Sequence, residues 1–113
     1  MDQNRSKLIE LFIGNMSNVI LHKILEKAIT DIDIADRYNK EIKNSFEIAK
    51  QYREKINPLN ISLPEKDINY IKNKIIRKVK AELQIRISKG YKNINLDIVE
   101  QIMNELLKET KIT

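Results

Sequence analysis

Few side chains in this 113-residue sequence are of a type that carries out chemistry. His22 is the only histidine and there is no cysteine, which excludes thiolate metal sites, cysteine nucleophiles and disulfide bonds. The two glycines are too few for a phosphate-binding loop or a dinucleotide-binding turn, because both need several glycines at fixed spacing. We therefore predict no enzymatic activity, no catalytic residue, no cofactor and no small-molecule substrate.

Two small groups of residues have the types that bind metal ions. His22 and Glu26 are four residues apart, which places both on one face of a helix, where they could hold a cation against a second helix. Asp31, Asp33 and Asp36 lack the alternating oxygen ligands and the glycine of a calcium-binding loop. Acidic residues in such a cluster suit the start of a helix. We interpret both groups as structural and predict no metal site.

Positive charge is concentrated in one part of the chain. The sequence carries 21 Lys and Arg against 16 Asp and Glu, a net charge of +5. Residues 66–92 contain nine of these cations but only two acids, Asp67 and Glu82. On a helical wheel several of the cations lie opposite the apolar stripe, and such a face favours contact with nucleic acid or with an acidic protein surface. The predicted contact residues are Lys66, Lys74, Arg77, Lys78, Lys80, Lys89 and Lys92.

Two further cations, Lys72 and Arg86, fall inside the apolar stripe of the same predicted helix. A charge at such a position extends its head to solvent, pairs with a carboxylate or lines a cleft. The carboxylates within reach in a bundle would be those of Glu26, Glu47 or Glu54. An enzyme that uses carboxylates with Lys72 or Arg86 in an interhelical cleft is a third, less favoured hypothesis.

The elements that must position these residues are helical. Only two Gly and two Pro are present, which is too few for the turns of an all-β fold, and 42% of the residues are hydrophobic with helical periodicity. The sequence predicts an all-α fold, a four-helix bundle-like domain of long helices joined by short loops. We predict a single domain over residues 1–113, with helices at roughly 5–29, 31–56, 63–89 and 95–109.

Several residues mark where these helices start and stop. Pro58 disfavours helical geometry at the residue before it and predicts that the second helix ends there. Gly90 is suited to the left-handed conformation that closes a helix. For the helix starts, we predict N-caps at Thr30, at Ser62 in a capping box with Glu65, and at Asn95. Gly14 could either interrupt the first helix or lie within it.

The first two predicted helices present apolar surface that suits self-association. The first is apolar on most of its circumference, so it must be central or shared with a second chain. The second repeats apolar or small side chains from Ala35 to Ile56 at alternating spacings of three and four residues, typical of a narrow helix-packing seam. We predict a homodimer and a packed helical arm. The predicted self-association residues are Leu8, Phe12, Met16, Leu21, Leu25, Tyr38, Ile42 and Tyr52.

Residues 69–106 carry a resemblance to known helical domains. The segments Lys74–Lys80 and Gly90–Val99 form a basic helix that ends in glycine, followed by a short loop and a second helix. This pattern resembles the small C-terminal domain of the light-independent protochlorophyllide reductase B subunit, and also the second half of a histone fold. The resemblance implies a helix–loop–helix unit, and it transfers no functional residue to this chain.

The sequence thus predicts a small non-enzymatic helical interaction module. The first hypothesis is self-association through the first two helices, and the alternative is non-specific nucleic-acid binding through residues 66–92. The N-terminal residues show no signal-peptide pattern. The longest stretch without ionisable residues, Leu11–Leu21, is too short to span a bilayer. We expect a cytoplasmic protein without membrane contact.

Overall fold

A computed structural model describes residues 4–59 and 61–113 of the chain. Within these residues the fold contains four α-helices and no β-strand, which confirms the predicted all-α class. A short 3₁₀ turn, Leu96–Ile98, leads directly into the last helix. The helices are α1 (Arg5–Ala28), α2 (Ile32–Ile56), α3 (Glu65–Ser88) and α4 (Val99–Glu109).

Helix α1 is the centre of the fold. It packs against α2, α3 and α4, and its contact with α2 is the most extensive. It runs without interruption through Gly14, so its apolar residues form a continuous surface along the helix. This helix is long and apolar enough to cross a membrane by length and composition alone, but 61% of its most apolar window is buried inside the protein.

The α1 residues predicted to bind a second copy are instead core residues of the single chain. Their exposure is 7% or less, because three helices surround α1 and cover its opposite apolar faces. This set is therefore not available as a surface in this fold; it comprises Leu8, Phe12, Met16, Leu21 and Leu25. The three α2 residues of the same prediction, Tyr38, Ile42 and Tyr52, are half-buried against the core.

The predicted helix stops are confirmed. Helix α2 ends at Ile56, two residues before Pro58. Helix α3 ends at Ser88, and Gly90 adopts φ 98°, the left-handed conformation that favours glycine. The Gly90 N–H donates to the Ile87 carbonyl and the next N–H donates to the Arg86 carbonyl, which is the hydrogen-bond pattern of a Schellman motif.

Of the three predicted N-caps, Asn95 is the one that caps, but it caps the 3₁₀ turn Leu96–Ile98, while α4 itself starts after Ile98 without a side-chain cap. The Asn95 side-chain oxygen accepts a hydrogen bond from the Asp97 N–H at 2.9 Å. For α2 the cap is Asp31 rather than Thr30, since the Asp31 Oδ1 accepts from the Asp33 and Ile34 amides at 2.9 and 3.3 Å.

The predicted capping box before α3 is wrong. Pro64 occupies the N-cap position with φ −58° and ψ 147°, and no side chain caps this helix. Ser62 lies two residues further upstream, so its hydroxyl does not reach the free amides of the first turn. The start of α3 is held instead from α1, where the Arg5 guanidinium pairs with Asp67 at 2.6 Å and the Tyr70 hydroxyl donates to Glu10.

Arg53 joins the end of α2 to the C-terminus of the chain. Its side chain is 1% exposed. Nε and Nη2 donate to the Lys111 carbonyl at 3.2 and 2.9 Å, and Nη1 donates to the Asn57 carbonyl and side chain at 3.2 and 2.6 Å. Nη2 also reaches the Ile61 carbonyl at 3.4 Å. Burial lowers the pKa of Arg53, and these oxygens stabilise the guanidinium, which stays charged.

Candidate functional site

A cleft between α1 and α3 is lined by the residues whose buried polar atoms form no hydrogen bond within the described part of the protein. Each wall is formed by four residues of one helix, which lie on the same side because most of them are three or four positions apart. The cleft has a volume of about 310 Å³. Its lining residues are Ser17, Asn18, Leu21 and His22 from α1, with Lys78, Val79, Glu82 and Arg86 from α3.

Three residues that line this cleft each have a buried polar atom without a hydrogen-bond partner among the described residues. These atoms are Ser17 Oγ, His22 Nδ1 and Arg86 Nε, and across residues 4–59 and 61–113 no other buried side-chain nitrogen or oxygen lacks a partner. The Ser17 residue is 4% exposed. Buried polar groups in folded proteins are nearly always hydrogen-bonded, so the convergence of three unpaired atoms distinguishes this cleft from the rest of the interior.

His22 connects the cleft to α2. Its Nε2 lies 3.1 Å from Glu41 Oε2, and its ring stacks on Tyr38 with a centroid distance of 5.1 Å. An ionised carboxylate only accepts hydrogen bonds, so Nε2 carries the proton and Nδ1 is left as an acceptor in the neutral ring. Burial is the main cause that lowers the pKa of His22; Arg86 lowers it further, while Glu41 and the Asn18 carbonyl oppose the shift.

Arg86 lies over the Tyr91 ring at 5.8 Å. Among the residues described, no carboxylate comes within 4.0 Å of Arg86 or Lys72. Within the described residues, neither cation therefore pairs with Glu26, Glu47 or Glu54, which was one of the three alternatives for a charge in the apolar stripe. Both cations are half-buried. Arg86 neither pairs with a carboxylate nor extends fully into solvent, and it lines the cleft instead.

The predicted cationic contact residues lie along α3 and the loop after it. Five are exposed without a carboxylate within 4.0 Å in the described part of the chain: Lys66, Arg77, Lys78, Lys89 and Lys92. The remaining two are partly engaged. The Lys74 ammonium lies over the Tyr70 ring at 5.8 Å, and the Lys80 ammonium is 3.9 Å from Glu100. We call this set of seven residues the α3 basic face.

Sequence reasoning did not find most of the cleft. His22 was interpreted as a structural or surface residue, and Ser17 and Asn18 were not singled out. The available signal was a serine inside the long apolar run of α1 opposite a cation in the stripe of α3. Lys78 belongs both to the cleft wall and to the α3 basic face, and it is the one predicted contact residue that the structure places in the cleft.

The described residues contain no group of three or more His, Asp or Glu side chains placed to hold a metal ion. The cleft instead offers hydrogen-bond donors from Ser17, Arg86 and Lys78, an acceptor from His22 and one carboxylate from Glu82. Comparison of the chain with protein-family models, curated proteins and solved structures finds no match.

Proposed function

We propose that this chain is a non-enzymatic helical binding module that associates with nucleic acid through the α3 basic face. The interaction is with phosphates and does not depend on base sequence. The observation that carries the proposal is the exposed positive charge along α3 and the loop after it, since five of the seven cations have no carboxylate within 4.0 Å in the described residues.

The geometry of α3 suits an extended polyanion. Its 24 residues span about 36 Å at 1.5 Å per residue, whereas the cations of α2 stand among acids on that helix. Release of counterions from a nucleic acid supplies the free energy of such a contact, so the affinity must fall steeply with salt. Tyr70 and Tyr91 are the aromatic residues in this region, too few for a base-stacking platform, which favours duplex over single-stranded partners.

The test is binding to a short DNA duplex, measured by fluorescence anisotropy over a series of salt concentrations. We expect a log–log slope of about −0.9 for each phosphate contacted. The double variant K66E/R77E should lower the affinity and reduce the slope by about two. The double variant K40E/K43E changes the net charge equally on the exposed face of α2 and is the matched control. A slope near zero, or equal losses in both double variants, would refute the proposal.

Self-association is the second candidate, through α2 rather than α1. Only Ala49, Arg53 and Ile56 of its 25 residues are buried, while Ile34 and Ile48 remain 38% and 39% exposed. The seam of this helix already packs on the core, so pairing with a second copy would use Ile34 and Ile48, which lie two heptads apart on one side of α2.

Light scattering after size-exclusion chromatography tests this second candidate. We expect a dimer in the wild type and a monomer in the variant I34E/I48E. A wild-type monomer at high micromolar concentration would contradict it.

A further inference from the structure

We propose that the α1–α3 cleft is a binding site for a single phosphate group, separate from the extended contact of the α3 basic face. The proposal does not depend on nucleic-acid binding. It rests on the unpaired polar atoms of the cleft, on its charge and on its size.

The unpaired atoms indicate a ligand because they belong to residues of two helices that line one cleft. Ser17 and His22 lie on α1, Arg86 lies on α3, and all three line the same cleft. Ser17 is more than nine-tenths buried, so bulk solvent does not compensate its hydroxyl. A buried hydroxyl without a partner is costly to the fold, and a ligand that bonds to all three groups removes that cost.

The charge of the cleft selects an anion. Among its lining residues, Lys78 and Arg86 contribute two positive charges against the one carboxylate of Glu82, while Glu41 lies outside the lining and is paired with Nε2 of His22. Glu82 forms no ion pair within 4.0 Å in the described residues, so the two cations keep their charge available. Guanidinium and hydroxyl donors together are the groups that recognise phosphate oxygens.

The number and arrangement of the groups favour phosphate over carboxylate. A phosphate has oxygens in a tetrahedral arrangement, so it can meet Ser17, Arg86 and Lys78 on different sides and still place one oxygen at His22. One proton is shared at that last contact, either on the phosphate oxygen or on Nδ1. A carboxylate has two oxygens in one plane and satisfies fewer of these groups. The volume of about 310 Å³ is at the small end of ligand pockets, so it accommodates a phosphate group together with a small organic group attached to it.

Because the chain has one histidine, its single imidazole NMR signal reports on the cleft directly. The probe is inorganic phosphate added at pH 7 and constant ionic strength, with sodium chloride as the reference salt and acetate as the carboxylate anion. We expect a saturable shift of the His22 signal, with a Kd on the order of 1 mM, and a weaker response to acetate. Equal responses to phosphate and chloride would overturn the proposal.

Bound phosphate should also raise the pKa of His22. In the free protein the ring faces Glu41 and Tyr38 of α2, Lys78, Glu82 and Arg86 of α3, and the Asn18 carbonyl of its own helix. A phosphate anion in the cleft opposes the effect of Arg86 and stabilises the imidazolium. An unchanged titration curve in saturating phosphate would count against binding at this place.

Three variants separate a binding role from a structural one. R86M should weaken phosphate binding about tenfold, the loss expected for a hydrogen bond to a charged group. E82Q should strengthen it, because the substitution removes the one negative charge of the cleft wall. R77M removes a cation of the same helix outside the cleft and should leave phosphate binding unchanged. Equal effects of R86M and R77M, or weaker binding by E82Q, would overturn the proposal.

Duplex DNA distinguishes the two sources of phosphate and keeps the two proposals apart. R77M should weaken DNA binding and not phosphate binding, whereas R86M should do the reverse. If DNA binding fails while inorganic phosphate still shifts His22, only the nucleic-acid proposal is lost. If DNA shifts His22 but inorganic phosphate does not, the cleft is part of the α3 basic face and the single-phosphate site is refuted.

Discussion

Two arginines of this protein stand on inward-facing parts of their helices and have opposite surroundings. Arg53 of α2 is 1% exposed, and each nitrogen of its guanidinium donates to an oxygen of Asn57, Ile61 or Lys111. Arg86 of α3 is half-buried, and its Nε has no partner.

The difference between the two arginines shows which buried polar groups stabilise the fold. Around Arg53 the carbonyl oxygens come from three separate stretches of the chain, so the guanidinium fixes their positions and the fold satisfies it completely. Around Arg86 the fold leaves two further unpaired atoms, Ser17 Oγ and His22 Nδ1. Polar atoms that are all paired within the protein stabilise the fold, whereas atoms that the protein leaves unpaired are candidates for contact with a ligand or water.

The largest expected effect comes from removing each guanidinium in turn. R53M leaves buried carbonyl oxygens without donors and should lower the free energy of unfolding by about 3 kcal/mol. R86M removes a group that the fold does not satisfy and should change that free energy by less than about 1 kcal/mol. Urea unfolding of both variants measures the difference. Similar losses of unfolding free energy in R53M and R86M would contradict the proposed difference between the two arginines.

The buried hydroxyl groups provide the same comparison on a smaller scale. Thr110 is 3% exposed and its Oγ1 donates to the Leu106 carbonyl at 2.9 Å. T110V should cost about 1 kcal/mol, while S17A should leave stability unchanged or raise it by up to about 1 kcal/mol. Thermal unfolding in phosphate-free buffer checks the sign. A destabilised S17A protein would mean that the fold uses this hydroxyl.

The conformation of Lys111 is part of the Arg53 network. Its φ of 63° is left-handed, and its carbonyl is the one that receives two guanidinium bonds. K111G should stabilise the protein by about 0.5 kcal/mol, because glycine adopts this conformation without strain.

N93G is the matched control for this substitution, since Asn93 has a φ of 65° and asparagine tolerates that region better than lysine. Its gain should be smaller, by the same urea assay. An equal gain in both variants would show that the left-handed conformation costs no more at Lys111 than at Asn93.

The smallest expected effect is the pH dependence contributed by His22. Burial lowers the pKa of His22 below its usual value of about 6.5. The unfolded chain therefore binds more protons than the folded one as pH falls through 6.5, so stability is complete above that pH and decreases below it. H22Q should reduce this decrease between about pH 6.5 and 5, measured by thermal unfolding. An identical pH profile in H22Q would contradict the assignment.

Most of the fold could be predicted because local signals determine it. Pro58, Gly90 and Asn95 act through their own backbone or the next few amides, so their effects are visible in sequence. Thr30 and Ser62 were wrong as caps because a neighbour decided each case: Asp31 offered the better acceptor, and Pro64 took the cap position itself.

The distribution of apolar surface was harder to predict. A helix that is apolar on opposite sides can be covered by its own chain or by another, and periodicity does not distinguish the two. Here α1 is covered by α2, α3 and α4 of the same chain. The predicted excess of apolar surface therefore disappears from α1, and the partly covered face is that of α2.

The candidate sites depend on tertiary contacts, which explains why the sequence revealed only part of them. Arg86 stood out because it interrupts an apolar stripe. Arg53 did not stand out, because most of its partners are backbone carbonyl oxygens. Every residue has such an oxygen, so the sequence does not show which of them Arg53 contacts. Ser17 and His22 became notable only when α3 placed Arg86 opposite them.

Thermal unfolding of the wild type and R86M in increasing phosphate, at constant ionic strength, tests most directly whether the unsatisfied cleft is a binding site. A ligand that binds the folded state raises its melting temperature with concentration, and general salt effects act on both proteins alike. We expect the melting temperature of the wild type to rise above that of R86M increasingly as phosphate is added. Parallel curves for the two proteins would contradict the account.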